Sequence, residues 1–246
     1  LHASNVCGTL LPIDEIGAFC HRHGLRFFLD SAQTAGVFPI DMQQSHIDAV
    51  AFTGHKSLMG PQGTGGIILR EDLAGLLTPL LAGGTGSMSH TEFMPDFLPD
   101  RLEPGTMNLP GLAGLHAALD FLQETGLDTI RAHELALTKH FLDGLAPMQA
   151  ENRVKILGLP GIEGRAGVVS IQPVHQDPAE VAASLDERFG IATRVGLHCA
   201  PAAHQTLGTF PTGTIRFSFG FFNTEADADY ALSALDTLTK EALHGL

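Results

Sequence analysis

From Leu25 to Leu69 the chain reads LRFFLDSAQTAGVFPIDMQQSHIDAVAFTGHKSLMGPQGTGGIIL. Its apolar residues gather in short runs, Leu25–Leu29, Ile47–Phe52 and Gly66–Leu69, bounded by Asp, Ser, Gly and Pro, which is the pattern of strands closed by turns. Just upstream, Pro12 opens a segment with Asp14 and Glu15 in its first turn and Ile13, Ile16, Phe19 and Cys20 at helical spacing, before Gly24 stops it. Short apolar strands alternating with helices predict an α/β fold, a mostly parallel sheet with helices on both faces. Ligands of such sheets sit at the carboxyl ends of the strands. Asp30 falls at one such end, and Lys56 lies just beyond another, after Thr53-Gly54-His55.

Further along, Leu115, Leu119 and Leu122, then Ile130, Leu135, Phe141 and Leu142, recur at helical intervals on either side of Gly126. They predict one helix ending near Thr125 and another over 129–145. After Pro147 the pattern changes to strands over 154–157 and 167–172, a helix over 178–189, strands near 191–195 and 214–219, and a last helix over 225–243, with Thr224 as its cap. The expected division is therefore a larger domain over 1–146 and a smaller α+β domain over 147–246.

The 246 residues include 14 Lys and Arg against 27 Asp and Glu, a net charge of −13. With the basic residues scattered, a nucleic-acid partner is not expected. No apolar run approaches the roughly 20 residues that cross a bilayer, so no membrane partner is expected either. Cys7, Cys20 and Cys199 form no CxxC pair, a usage that fits free thiols in a cytoplasmic protein. Of the 13 histidines, His21 and His23 stand at a helix end and His198 and His204 flank a loop; none has the spacing of a metal pair, and no metal is expected. The start, Leu1-His2-Ala3-Ser4-Asn5, has neither an initiator Met nor a leader and reads as the interior of a longer protein.

An acid closing a strand is ordinarily a turn residue, and a single lysine is ordinarily a solvated charge. Together at one strand-end crevice, an amine and a carboxylate suit pyridoxal 5'-phosphate, the lysine forming a Schiff base and the acid pairing the ring nitrogen. The wider sequence strengthens this. Asp30-Ser31-Ala32-Gln33 followed by Thr53-Gly54-His55-Lys56 through Gly65, then Arg101-Leu102-Glu103-Pro104-Gly105-Thr106-Met107-Asn108, Arg194-Val195-Gly196-Leu197-His198-Cys199-Ala200 and Ile215-Arg216-Phe217-Ser218 resemble, in order, the motifs of the class V, fold-type I pyridoxal phosphate enzymes. Cysteine desulfurases and selenocysteine lyases belong to that group.

The resemblance implies roles. Lys56 would hold the cofactor and shuttle the proton at the substrate carbon. Asp30 would keep the ring nitrogen protonated, Gln33 would bond the phenolate oxygen, and His55 would contact the phosphate. Thr106 would reach the phosphate of a neighbouring subunit, which implies a homodimer. Asn5 would lie near the cofactor and the carboxylate of a small amino-acid substrate, and Arg216, whose planar fork matches two oxygens, would bind that carboxylate. Cys199 would attack the sulfur of cysteine and carry a persulfide onward to an acceptor protein, its thiolate favoured by Arg194 and His198 as nearby cations. Selenocysteine lyase and other class V aminotransferase chemistry remain alternatives. Family members are longer at the amino end, and the part before Leu1 would supply the phosphate-binding turn and the ring that stacks on the cofactor; a truncated, non-catalytic relative is therefore a further alternative.

Overall fold

The computed structural model describes residues 1–244. They form two compact units, one of Pro12–Glu124 and one of Leu1–Leu11 together with the chain from Thr125 onward.

In the first unit, helix α1 (Ile13–Arg22) carries acids in its first turn and His21 and Arg22 in its last, as its dipole favours. Ile13 and Gly17 form its buried face. At Gly17 a Cβ would lie 1.7 Å from the Ser45 carbonyl oxygen, so only glycine admits the close approach of helix to loop. Strands β1 (Phe28–Asp30) and β2 (Ala49–Thr53) pair in parallel, and β3 (Gly65–Leu69) pairs antiparallel with β2. The expectation of a mostly parallel sheet is met by the first pairing and not by the second. The connection from β2 to β3 spans only residues 54–64, too short for the crossover a parallel pair requires. Ile13, Leu29, Ile47 and Val50 make the core of this sheet and helix. A short helix α2 (Glu71–Ala74) follows, and α3 (Leu109–Thr125) begins where Asn108 Oδ1 accepts the Gly111 N–H at 3.1 Å, an amino-terminal cap.

The second unit opens its helical part with α4 (Leu127–Ala150), which runs through Pro147, so the expected junction near residue 147 falls inside a helix. Strands β4 (Val154–Leu157), β5 (Val168–Pro173), β6 (Arg194–Gly196) and β7 (Thr214–Ser218) form an antiparallel sheet in the order β4-β5-β7-β6. Helix α5 (Pro178–Phe189) starts on an Asp177 cap and stops at the left-handed Gly190. The seven-residue α6 (Pro201–Leu207) follows Cys199-Ala200, and α7 (Glu225–His244) is opened by a reciprocal pair in which Thr224 N–H donates to Asp227 Oδ2 and Asp227 N–H donates to Thr224 Oγ1. Phe141, Leu145, Val169, Ile171, Leu185, Ile215, Phe217 and Leu235 bury the sheet against α4, α5 and α7.

Residues 1–11 are anchored to this unit through Arg165, which is fully buried. Its guanidinium donates to the carbonyls of Cys7 (3.0 Å), Val168 (2.9 Å), Leu157 (3.0 Å) and Gly161 (3.2 Å), and also to that of Leu159. All of these acceptors are backbone carbonyls. Removing the guanidinium would leave several buried acceptors unpaired, each costly on its own. Arg165→Leu is expected to destabilise this unit by on the order of 3 kcal/mol or more, read as a fall in the urea midpoint; an unchanged midpoint would contradict the anchoring role.

Glu134 on α4 is 5% exposed, and burial raises its carboxyl to about 7. A group whose pKa is higher folded than unfolded contributes its stability below its unfolded value, here about 4.5, and loses it as the pH climbs through about 7. Between about pH 5 and pH 8 the native state should lose up to about 2–3 kcal/mol from this one carboxyl. Urea titrations at both pH values should show this loss in the parent chain and a flatter dependence in Glu134→Gln.

Candidate active site

Asp30 is the last residue of β1, and its carboxylate Oδ1 accepts the Ala32 N–H at 2.9 Å, fixing the turn that begins there. Ser31 closes the turn onto β2, its N–H and hydroxyl both donating to the Ala51 carbonyl. Lys56 lies three residues past the end of β2, in a loop closed by Gly60 N–H donating to the Gly54 carbonyl and Met59 N–H donating to that of Lys56, both at 2.8 Å. Because β1 and β2 are adjacent and parallel, both turns leave the carboxyl-terminal end of this strand pair. They also touch. A Cβ at Gly36, whose φ is +93°, would lie 2.4 Å from the Ser57 carbonyl oxygen, so the turn carrying Asp30 and Gln33 packs directly on the loop carrying His55 and Lys56.

Asp30, His55 and Lys56 are exposed and Gln33 is half-buried. The first unit therefore presents an amine, a carboxylate, an amide and an imidazole on two abutting turns. Thr106 is exposed in the loop before α3, which Gly105 ties to the glycine-rich segment 83–86 through its N–H and the Gly84 carbonyl. Gly60 and Gly63 lie in the turn into β3, Gly63 at φ +75°, and Gly65 and Gly66 open the strand. Gly36 and Gly54, where an added Cβ would lie 2.0 Å from Thr64 Oγ1, are the positions sequence reasoning passed over. Their signal was a glycine six residues beyond the strand-end acid and one two residues before the lysine.

The second unit gathers Asn5, Arg194, His198, Cys199 and Arg216. Arg194 and Arg216 are direct cross-strand partners in the β6–β7 pairing, which puts two guanidiniums side by side on one face. Among the described residues no carboxylate pairs with either. Arg194 Nη2 instead donates to Cys199 Sγ at 3.3 Å, and Arg216 Nη1 to the Asn5 carbonyl at 3.0 Å, while the buried Arg216 Nε has no acceptor. Burial and the neighbouring Arg194 charge both press the Arg216 pKa below its usual value. Two like charges with spare donors and no acid form a site that a carboxylate would neutralise bidentately.

His198 departs from the sequence expectation. Burial, with Arg216, His204 and Arg194 adding to it, pushes its pKa down to about 4, so at neutral pH it is uncharged and cannot serve as a cation for the thiolate. The guanidinium of Arg194, with Nη2 3.3 Å from Cys199 Sγ, is the cation in contact with the thiol. Cys199 is exposed, Cys7 is buried and Cys20 half-buried.

A family model described as aminotransferase class V matches residues 1–231. The chain belongs to the class-V aminotransferase family. That is a family of pyridoxal phosphate enzymes, and the match runs across both units. A probable cysteine desulfurase of Methanothermobacter thermautotrophicus is 33% identical over 229 residues, covering 92% of this chain and 56% of the relative. A probable cysteine desulfurase of Halalkalibacterium halodurans is 37% identical over 253 aligned positions, covering 98% and 57%. Among solved structures, the apo cysteine desulfurase of Thermococcus onnurineus superposes with a TM-score of 0.87 at 32% identity, covering 98% of this chain and 59% of its own. The class-V chain described here thus spans a little over half the length of these relatives.

Proposed function

We propose that this class-V protein is a pyridoxal phosphate-dependent cysteine desulfurase, taking L-cysteine to L-alanine and leaving the sulfur as a persulfide on Cys199. The observation that carries the proposal is the acid-free pair Arg194 and Arg216 with the Cys199 thiol on one of its guanidiniums. An α-carboxylate is the ligand such a pair lacks, and a thiol beside it is placed for chemistry on the substrate's side chain. The names of the relatives agree with it.

The donor set of the first unit suits the cofactor. Lys56 would hold it covalently through Nζ, Asp30 would keep a proton on the ring nitrogen, Gln33 would bond the phenolate oxygen, and His55 would contact the phosphate. Bound there, pyridoxal phosphate supplies the electron sink that weakens bonds next to the substrate's α-carbon. Arg216, oriented by the Asn5 carbonyl, binds the substrate carboxylate, and Asn5 lies beside it. Cys199, whose Sγ accepts from Arg194 Nη2, would attack the substrate sulfur as its thiolate. Lys56 would take the proton from the α-carbon; the sulfur–sulfur bond would form as the carbon–sulfur bond breaks, the electron pair staying on the β-carbon, which takes a proton from solvent, and Lys56 would return a proton to the α-carbon to complete alanine.

Thr106 would contribute to the phosphate site of a second copy in a homodimer. Leu80, 97% exposed, and Phe93, 83% exposed, lie in the same long loop; apolar groups so bare favour coverage by a partner. The persulfide would pass to a thiol-bearing acceptor protein. The free thiols of Cys7, Cys20 and Cys199 support action in the reducing cytoplasm, and among the described residues no helix is long and apolar enough to cross a membrane.

Product analysis tests the proposal. The chain loaded with pyridoxal phosphate and given cysteine, selenocysteine or alanine separately, with a dithiol reductant to release persulfide sulfur as sulfide, should form alanine and sulfide from cysteine in equal amounts. Keto-acid formation from alanine without sulfur release would indicate an aminotransferase, and turnover of selenocysteine alone would indicate a selenocysteine lyase.

A further inference from the structure

The loop that carries Cys199 is held in a conformation that side chains ordinarily avoid. His198 has φ +49° and Cys199 φ +60°, two consecutive non-glycine residues in the left-handed region, which persists only where the surroundings fix it. Three contacts surround this turn. At its root, β6 and β7 come so close that a Cβ on Gly213 would lie 2.2 Å from the Gly196 carbonyl oxygen. The His198 ring, 3% exposed, sets Nε2 2.9 Å from Thr214 Oγ1, the cross-strand partner of Gly196. From the other side the Asn5 amide donates to the His198 carbonyl at 2.6 Å.

We propose that His198 is the positioning residue for Cys199: its imidazole, docked on Thr214, and its carbonyl, held by Asn5, fix the left-handed turn that keeps the thiol on the Arg194 guanidinium. The proposal rests on the desulfurase reading only for its chemical consequence, since the turn and its contacts are all made by this chain's own residues. The charged and titratable groups around the ring are Arg194 on β6, Arg216 on β7 and His204 on α6, whose ring centroid lies 5.4 Å away. A neutral imidazole adds no third positive charge there, so both guanidiniums remain free for anions. Asn5 thereby links two tasks, its carbonyl orienting Arg216 and its amide holding the turn of Cys199.

The test is the rate of Cys199 alkylation by iodoacetamide in the intact chain without cofactor, with peptide mapping to count Cys7 and Cys20 separately. The thiol is already exposed, so a change in its rate reports how the turn presents Sγ beside the Arg194 guanidinium rather than burial. His198→Leu and Thr214→Val should each slow alkylation at neutral pH by about fivefold or more, and the double variant should be no slower than either single one. His198→Gln, whose amide can occupy the Nε2 position and bond Thr214, should restore the parent rate, while Cys7 and Cys20 stay unchanged throughout. Should the leucine variant fail to fold, the near-isosteric Thr214→Val decides alone. Parent-like rates in Thr214→Val, or a glutamine variant as slow as the leucine one, would overturn the assignment. Neither result depends on sulfur transfer, so failure here is distinct from failure of the desulfurase reading.

Discussion

Cys199→Ala is expected to lower alanine and sulfide production from cysteine by about three orders of magnitude or more, because it removes a covalent route and not a single binding contact. The substitution takes away the one thiol in contact with Arg194 and leaves the Arg194 and Arg216 pair and the first unit's donor set untouched. Cofactor uptake, followed by its visible absorbance, should therefore match the parent, and cysteine should still perturb that spectrum as it binds. Substrate binding and sulfur transfer are thereby separated in one variant. Parent-like alanine formation by Cys199→Ala would mean that sulfur leaves without a persulfide, as in a lyase.

The second large effect belongs to Lys56. Its amine stands on a short loop fixed by the Gly54 and Gly60 pairing and braced against the turn of Asp30 and Gln33, so a neighbouring lysine cannot simply take its place. Lys56→Ala should abolish the visible band of covalently held pyridoxal phosphate and lower turnover by about three orders of magnitude or more, while the far-ultraviolet circular dichroism and urea midpoint remain close to the parent's because the side chain is exposed. A band of parent intensity in the folded variant would show that another amine holds the cofactor.

Much of this architecture is written in local pattern. The helix predicted over 178–189 matches α5 to the residue, since an Asp-Pro start and a Gly stop mark both ends. The short apolar runs also placed Asp30 at the end of a strand and Lys56 just beyond one. What the sequence hides depends on register and on distant neighbours. That Arg194 faces Arg216 is a fact of β6–β7 pairing, which neither strand states alone. Being next to Cys199 suggested that His198 was a cation, whereas its burial behind the turn makes it neutral. The loop expected between His198 and His204 gives way at Pro201 to α6, which includes His204 and whose seven residues are too few to show a helical period. Arg165 reads as an ordinary charged residue, and only folding surrounds it with carbonyls 3 to 158 positions away in the chain.

Mass spectrometry of the cysteine peptides tests the central claim most directly. The chain loaded with pyridoxal phosphate should be exposed briefly to cysteine in the absence of reductant and acceptor, trapped with an alkylating agent, and digested. The expected result is one added sulfur atom on the peptide containing Cys199, none on those of Cys7 and Cys20, and alanine released in proportion. Alanine formed with no added sulfur on Cys199, or added sulfur spread equally over all three cysteines, would contradict it.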